Sequence, residues 1–151
     1  MGKTYSGKRA TVIGTGESGL WAAKLLLVEG AKVRCSSHAK IEDAVKRFFK
    51  KAGVEFEEGG HTPEFLAASD LIVPSPGVKP SSPPLVLARE RRIPIIGEIE
   101  LAARLIKGKW AAVTGTNGKT TTASLLGRMV PRAHVCGNIG TARASLPGSE
   151  R

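Results

Sequence analysis

Apolar and polar positions alternate in short blocks over the first hundred residues, and the period of the pattern switches from block to block. Residues 9–13 form an apolar run that predicts a strand, closed by the turn Gly14-x-Gly16-x-x-Gly19. From about residue 18 to residue 29 the apolar positions, Leu20, Ala23, Leu27 and neighbours, recur at helical spacing, and Gly30 is placed to end that helix. Residues 31–35 predict a second strand, 41–51 a basic helix and 54–57 a third strand. Thr62, Pro63 and Glu64 supply the cap, first-turn proline and first-turn acid of a short helix reaching about Ala68.

Residues 71–73 predict a fourth strand, followed by a proline-rich loop over 74–84. Ser82 is placed to cap a helix that begins at Pro83 or Pro84 and reaches about Glu90. Residues 93–96 predict a fifth strand and 98–106 a further helix. Strands and helices in alternation predict the α/β class, here a Rossmann-like, mostly parallel sheet with helices on both faces. After Lys107-Gly108-Lys109 the pattern restarts: a strand at 110–113, a Gly-rich loop, a helix from Lys119 to about Met129 and a strand at 134–136. Two strands and one helix bury no core of their own. The expected organisation is one whole domain over 1–107, then over 108–151 the incomplete first part of a P-loop ATPase-type α/β domain.

Composition fits this picture: 41% hydrophobic and 24% charged residues, with no apolar run of membrane-spanning length and no signal-peptide core. A cytoplasmic monomer is the expectation. Cys35 and Cys136 lie far apart in no metal-like spacing and read as reduced thiols in strands. The net charge of +10 raises the question of nucleic acid. Its basic groups (Lys46, Arg47, Lys50 and Lys51; Arg89, Arg91 and Arg92; Lys107 and Lys109) are spread over several elements, with no interleaved aromatic platform. Solvated helix faces and anionic small-molecule sites explain the excess more simply, so neither nucleic acid nor membrane is an expected partner.

Two Gly-rich turns carry the candidate chemistry. In Gly115-Thr116-Asn117-Gly118-Lys119-Thr120-Thr121, a turn between a predicted strand and helix offers backbone N–H groups to phosphates. Lys119 then reaches the β- and γ-phosphates of ATP, and the Thr120 hydroxyl is placed to ligate Mg²⁺. The usual longer loop wants a glycine where Val113 stands; the shorter version occurs in a narrower set of ATP-dependent ligases. The first turn, Gly14-x-Gly16-x-x-Gly19, has a dinucleotide-type context, but no acidic residue ends the second strand to hold a ribose. That disfavours NAD. It leaves NADP, with Arg34 or Lys40 for a 2′-phosphate, or another diphosphate such as that of a UDP-sugar. His38 is placed near a nucleotide lying over the second strand, whereas His61 and His134 suggest no role, and Trp21 reads as packing.

Five stretches in order, residues 12–19, 74–77, 93–101, 113–121 and 137–141, make the chain similar to the Mur ligases over nearly its whole length. The Gly97-Glu98-Ile99-Glu100 and Gly137-Asn138-Ile139-Gly140 runs point to the branch that adds D-glutamate. This resemblance implies an ATP-dependent amide ligase of peptidoglycan synthesis, joining D-glutamate to UDP-N-acetylmuramoyl-L-alanine through an acyl phosphate, with ATP and Mg²⁺. It implies that Glu17 and Ser18 meet the UDP diphosphate through backbone N–H groups, that Gly77 lines the uridine site and that Asn138 contacts the muramoyl substrate. Ser37 stands where the family commonly has an acid facing uracil or its ribose. A third domain and further Mg²⁺ ligands would lie outside this chain, so the chain alone is expected to make no amide bond. The alternatives are a non-catalytic UDP-sugar- or nucleotide-binding module and an NADP-dependent oxidoreductase.

Overall fold

Four of the five residues of β1 (Arg9–Ile13) are buried, on both faces, as a central strand requires. The structure, a computed structural model, describes residues 3–137. β1 pairs in parallel with β2 (Lys32–Ser37) on one side and β4 (Leu71–Pro74) on the other. β2 pairs in parallel with β3 (Glu55–Glu58), so the strand order is β3-β2-β1-β4. Parallel neighbours need crossovers, and the helices supply them.

Alternation along the strands divides the core into two layers. Ala10 and Val12 of β1, Val33 and Cys35 of β2 and Leu71 and Val73 of β4 point to one face. There they pack on α1 (Glu17–Val28), Phe49 of α2 (Asp43–Ala52) and Leu101 of α5 (Glu98–Leu105). Ile13 and Ile72 point to the other face, against Leu66 of α3 (Pro63–Ala67) and Leu85 and Ala88 of α4 (Pro83–Glu90). On that same face Thr11 is fully buried, and its hydroxyl meets Ser69 Oγ at 2.6 Å, which removes the cost of an unpaired buried hydroxyl. The chain is an α/β fold with a Rossmann-like parallel sheet. Among the described residues no helix is long and apolar enough to cross a membrane.

Burial pushes the Cys35 thiol up to about 12, whereas Cys136 is half-buried. A thiol that high holds only about one part in ten thousand as thiolate at pH 8, and thiolate is the nucleophile. Iodoacetamide at pH 8 is therefore expected to leave Cys35 unlabelled until denaturant opens the sheet; peptide mapping before and after urea checks this.

Four local expectations are corrected. The fifth strand, 93–96, shrinks to a single parallel bridge between Ile95 and Ile72. Pro94 has no N–H, so this edge keeps only two bonds: Ile72 N–H to Pro94 O at 2.8 Å and Ile96 N–H to Ile72 O at 3.0 Å. Residues 110–113 form no strand, and at 134–136 only Cys136 holds a bridge position. A strand exists by pairing with a neighbour, whereas α6 (Lys119–Met129) closes its hydrogen bonds within itself and forms as expected. Finally, Ser82 stands at the N-cap of α4 but its side chain caps nothing. Pro84 has no N–H to give, and Leu85 N–H bonds the Ser82 carbonyl instead at 3.0 Å.

Candidate functional site

The carboxyl ends of β1 and β2 open into a cleft of about 410 Å³ lined by Gly14, Gly16, Ser37, His38, Lys40 and His61, among others. This is where open parallel sheets take ligands, because the loops there diverge and helix starts face the opening. Two features shape its floor. Gly14 lies at φ +92°, where a side chain is strained, and a Cβ there would stand 2.9 Å from Ser75 Oγ. Gly19 is buried, and a Cβ on it would come within 2.0 Å of the Gly14 carbonyl oxygen. The start of α1 is thereby drawn tight against the end of β1.

Gly16 is the N-cap of α1 and has no side chain to occupy the helix's unpaired N–H groups. A Cβ at Gly16 would meet nothing within 4 Å. The first turn therefore faces the cleft open, with the positive end of the helix dipole behind it. An anion fits there. Glu17 and Ser18 begin the helix at this opening, Glu17 exposed and Ser18 half-buried.

Ser37 ends β2 and is buried in the cleft wall. Gly77 is exposed on the loop after β4, next to Val78, which lines the cleft. That loop is tied down by the Ser75 hydroxyl, which donates to the Gly14 carbonyl at 3.3 Å, and by Ser75 N–H to Ile13 O at 2.8 Å. Asn138 lies outside the described residues. Arg34, a candidate for a 2′-phosphate, is not in the cleft at all. Its guanidinium stacks 3.8 Å from the Phe65 ring centre and donates to Glu55 at 2.9 Å, on the face that carries α3. Of the two cations named for NADP, only Lys40 lines the cleft.

One residue read as having no role is in the wall. His61 sits between Gly60 and Thr62, after β3, and its Nδ1 lies 2.6 Å from Ser36 Oγ. Ser36 donates to Glu57 Oε1 at 2.7 Å, its cross-strand neighbour, and Glu57 also accepts from Thr62 N–H at 3.0 Å and Thr62 Oγ1 at 2.7 Å. Burial lowers the His61 pKa from the ordinary 6.5, with nearby Glu57 opposing and His38 adding to the shift. The signal available in the sequence was position: a histidine just past the carboxyl end of a parallel strand, at the edge where ligands bind.

The second turn stands on its own loop. Gly115, Thr116, Asn117, Gly118, Lys119, Thr120 and Thr121 are all exposed, and Gly118, at φ +76°, is a left-handed N-cap without a side chain. Lys119 Nζ folds back over the loop, donating to the Gly115 carbonyl and to the Thr116 carbonyl at 3.2 Å. Its charge thus lies across the mouth of a turn whose helix start has no side-chain cap. Those residues fit a polyphosphate, and Thr120, second in the helix, is the hydroxyl nearest in sequence to hold a cation beside it.

Residues 9–83 match the family described as the MurD N-terminal domain. Along 96% of its length the chain is 46% identical to the UDP-N-acetylmuramoylalanine–D-glutamate ligase of Acidobacterium capsulatum, and along 93% it is 44% identical to that of Koribacter versatilis. It covers 33% and 32% of these proteins, about a third of the length of the curated relatives it matches. Among solved structures it resembles a pseudomurein peptide ligase type C from Methanothermus fervidus, with a TM-score of 0.59 and 30% identity. That likeness covers 79% of this chain and 25% of the other. A parallel sheet of this order, a Gly-rich cradle at its carboxyl edge and these similarities agree: the chain belongs to the Mur ligase family, with residues 9–83 matching the MurD N-terminal domain.

Proposed function

We propose that this chain carries the UDP-binding end and the ATP phosphate loop of a ligase that joins D-glutamate to UDP-N-acetylmuramoyl-L-alanine. The observation that carries the reading is the open helix start at Gly16, facing a cleft at the carboxyl edge of the sheet. The name shared by the curated relatives supplies the substrate class. In this reading residues 1–107 hold the nucleotide end of the substrate and 108–151 begin the ATP-binding part. Ala102 is the last buried residue of the described chain, which supports that division.

Gly14, Gly16 and Gly19 shape the turn, and the N–H groups of Glu17 and Ser18 bind the diphosphate. Ser37 and Gly77 flank the nucleoside, and Asn138 contacts the muramoyl part near the reacting carboxylate. Gly115, Thr116, Asn117, Gly118 and Thr121 wrap the phosphates of ATP, Lys119 neutralises charge on them and Thr120 ligates Mg²⁺. When bound, ATP with Mg²⁺ supplies the phosphoryl group that makes the alanyl carboxylate an acyl donor. The residues of this chain orient that carboxylate's carrier, and the phosphate loop offsets negative charge on the group transferred.

Calorimetry of the chain with UDP tests the nucleotide half. Gly16→Val, at a backbone conformation any residue tolerates (φ −66°, ψ −174°), fills the open cradle. It is expected to weaken UDP binding at least about tenfold, since a displaced phosphate loses charge-assisted bonds worth about 1.5–3 kcal/mol each. Unchanged UDP affinity in this variant would sink the assignment.

A further inference from the structure

We propose that His61 recognises the base of the bound nucleotide, its Nε2 accepting the N–H that uracil carries between its two carbonyls. The inference rests on the UDP reading above and assigns a specificity-determining residue to it. The Gly14–Gly16 turn after β1 is the anion cradle, so the base lies toward the β2 and β3 side of the cleft, where His38 and Lys40 follow β2 and His61 follows β3.

Hydrogen-bond bookkeeping fixes which nitrogen of His61 is free. Ser36 Oγ has one proton, and the two oxygens it faces, Glu57 Oε1 at 2.7 Å and the Gly60 carbonyl at 3.3 Å, can only accept it. The 2.6 Å contact with His61 Nδ1 therefore needs its proton from the imidazole. A neutral ring protonated at Nδ1 keeps a lone pair on Nε2, and that atom has no protein partner among the described residues. The ring is held by Ser36 on β2, and the backbone beside it is fixed at Thr62, which donates to Glu57 at 3.0 and 2.7 Å and caps α3. A fixed, half-buried acceptor in the wall of a nucleotide cleft discriminates strongly, because a ligand lacking the matching donor leaves it unpaired. Glu42 also lines the cleft, but it is exposed, so water competes there for any bond it makes.

The test compares UDP with its N3-methylated analogue on the 151-residue chain by calorimetry. Wild type is expected to prefer UDP by about tenfold, the effect of one buried hydrogen bond. His61→Asn keeps a donor at the Nδ1 position for Ser36 but removes Nε2. It is expected to bind UDP about tenfold more weakly, to treat both ligands alike and to melt within a few degrees of wild type. Retention of the preference in His61→Asn overturns the proposal, as does its loss in Glu42→Gln. If UDP binds wild type and responds to Gly16→Val but not to His61→Asn, only the base assignment fails. Absence of UDP binding to wild type overturns both readings.

Discussion

Gly19→Ala is expected to unfold the chain more readily than any other single-methyl addition in the cleft. The new Cβ would stand 2.0 Å from the Gly14 carbonyl oxygen and 2.9 Å from Ser75 Oγ. The serine side chain can rotate, but the carbonyl belongs to the turn that joins β1 to α1, so either the helix start or the strand end must retreat. Retreat separates α1 from β1, and with it Ala22, Ala23, Leu25 and Leu26 from the core face. Alanine favours a helix over glycine by about 0.5–1 kcal/mol, which offsets little of this. Overpacking of this kind costs about 3 kcal/mol, or roughly 12–24 °C in Tm for a core carried by about 100 residues. Gly16→Val provides the contrast. Three residues earlier in the same turn, its side chain enters open space, and its Tm is expected to stay within about 2 °C while UDP binding falls. Thermal unfolding followed by circular dichroism separates the two. Equal melting temperatures for Gly19→Ala and wild type would show that α1 does not sit this closely on β1.

The two glycines differ in a way the sequence alone does not express. Gly14-x-Gly16-x-x-Gly19 marks a tight strand-to-helix turn, and the strand before it was legible to the residue, because apolar side chains run from Ala10 to Ile13 between charged and glycine borders. Helix starts read well for a related reason: Thr62 before Pro63, and Gly118 before Lys119, act through bonds within one turn. What failed was non-local. Residues 110–113 have strand composition, but no pairing forms there, and pairing depends on chain far away in sequence. The bridge at Ile95 is short because Pro94 interrupts an edge whose neighbour, Ile72, lies more than twenty residues earlier. His61 was missed because its meaning comes from Ser36 and Glu57 on two adjacent strands, in register across the sheet. The turn at Gly118 and the helix it opens were legible from composition and order; the place of His61 in the cleft wall was legible only from geometry.

Lys119→Ala is expected to remove ligase turnover while leaving sugar-nucleotide binding intact. A carboxylate is a poor acyl donor, and moving a phosphoryl group onto it concentrates negative charge on the transferring oxygens. Lys119 is the cation placed at the mouth of the Gly115–Gly118 turn, where its Nζ rests on the carbonyls of Gly115 and Thr116. Those carbonyls hold the ammonium at the head of α6, beside the unpaired N–H groups of a helix start that Gly118 leaves uncapped. A phosphate arriving there replaces neutral acceptors with charged ones, so the lysine's attraction is strongest when charge on the phosphoryl group is greatest. Deleting one such preorganised donor costs about 10²–10³ in kcat. The measurement uses a chimera that joins residues 1–137 to the Acidobacterium capsulatum relative from the position matching Asn138 onward, assayed for ADP release dependent on both the sugar nucleotide and D-glutamate. Lys119→Ala should lower kcat by that factor and leave UDP affinity within about twofold, because the cleft at the ends of β1 and β2 does not include this residue. Lys119→Arg should fail to restore turnover, since a planar guanidinium does not replace a compact ammonium in so short a loop. Full turnover in Lys119→Ala, with the sugar nucleotide bound normally, would remove this turn from the chemistry altogether.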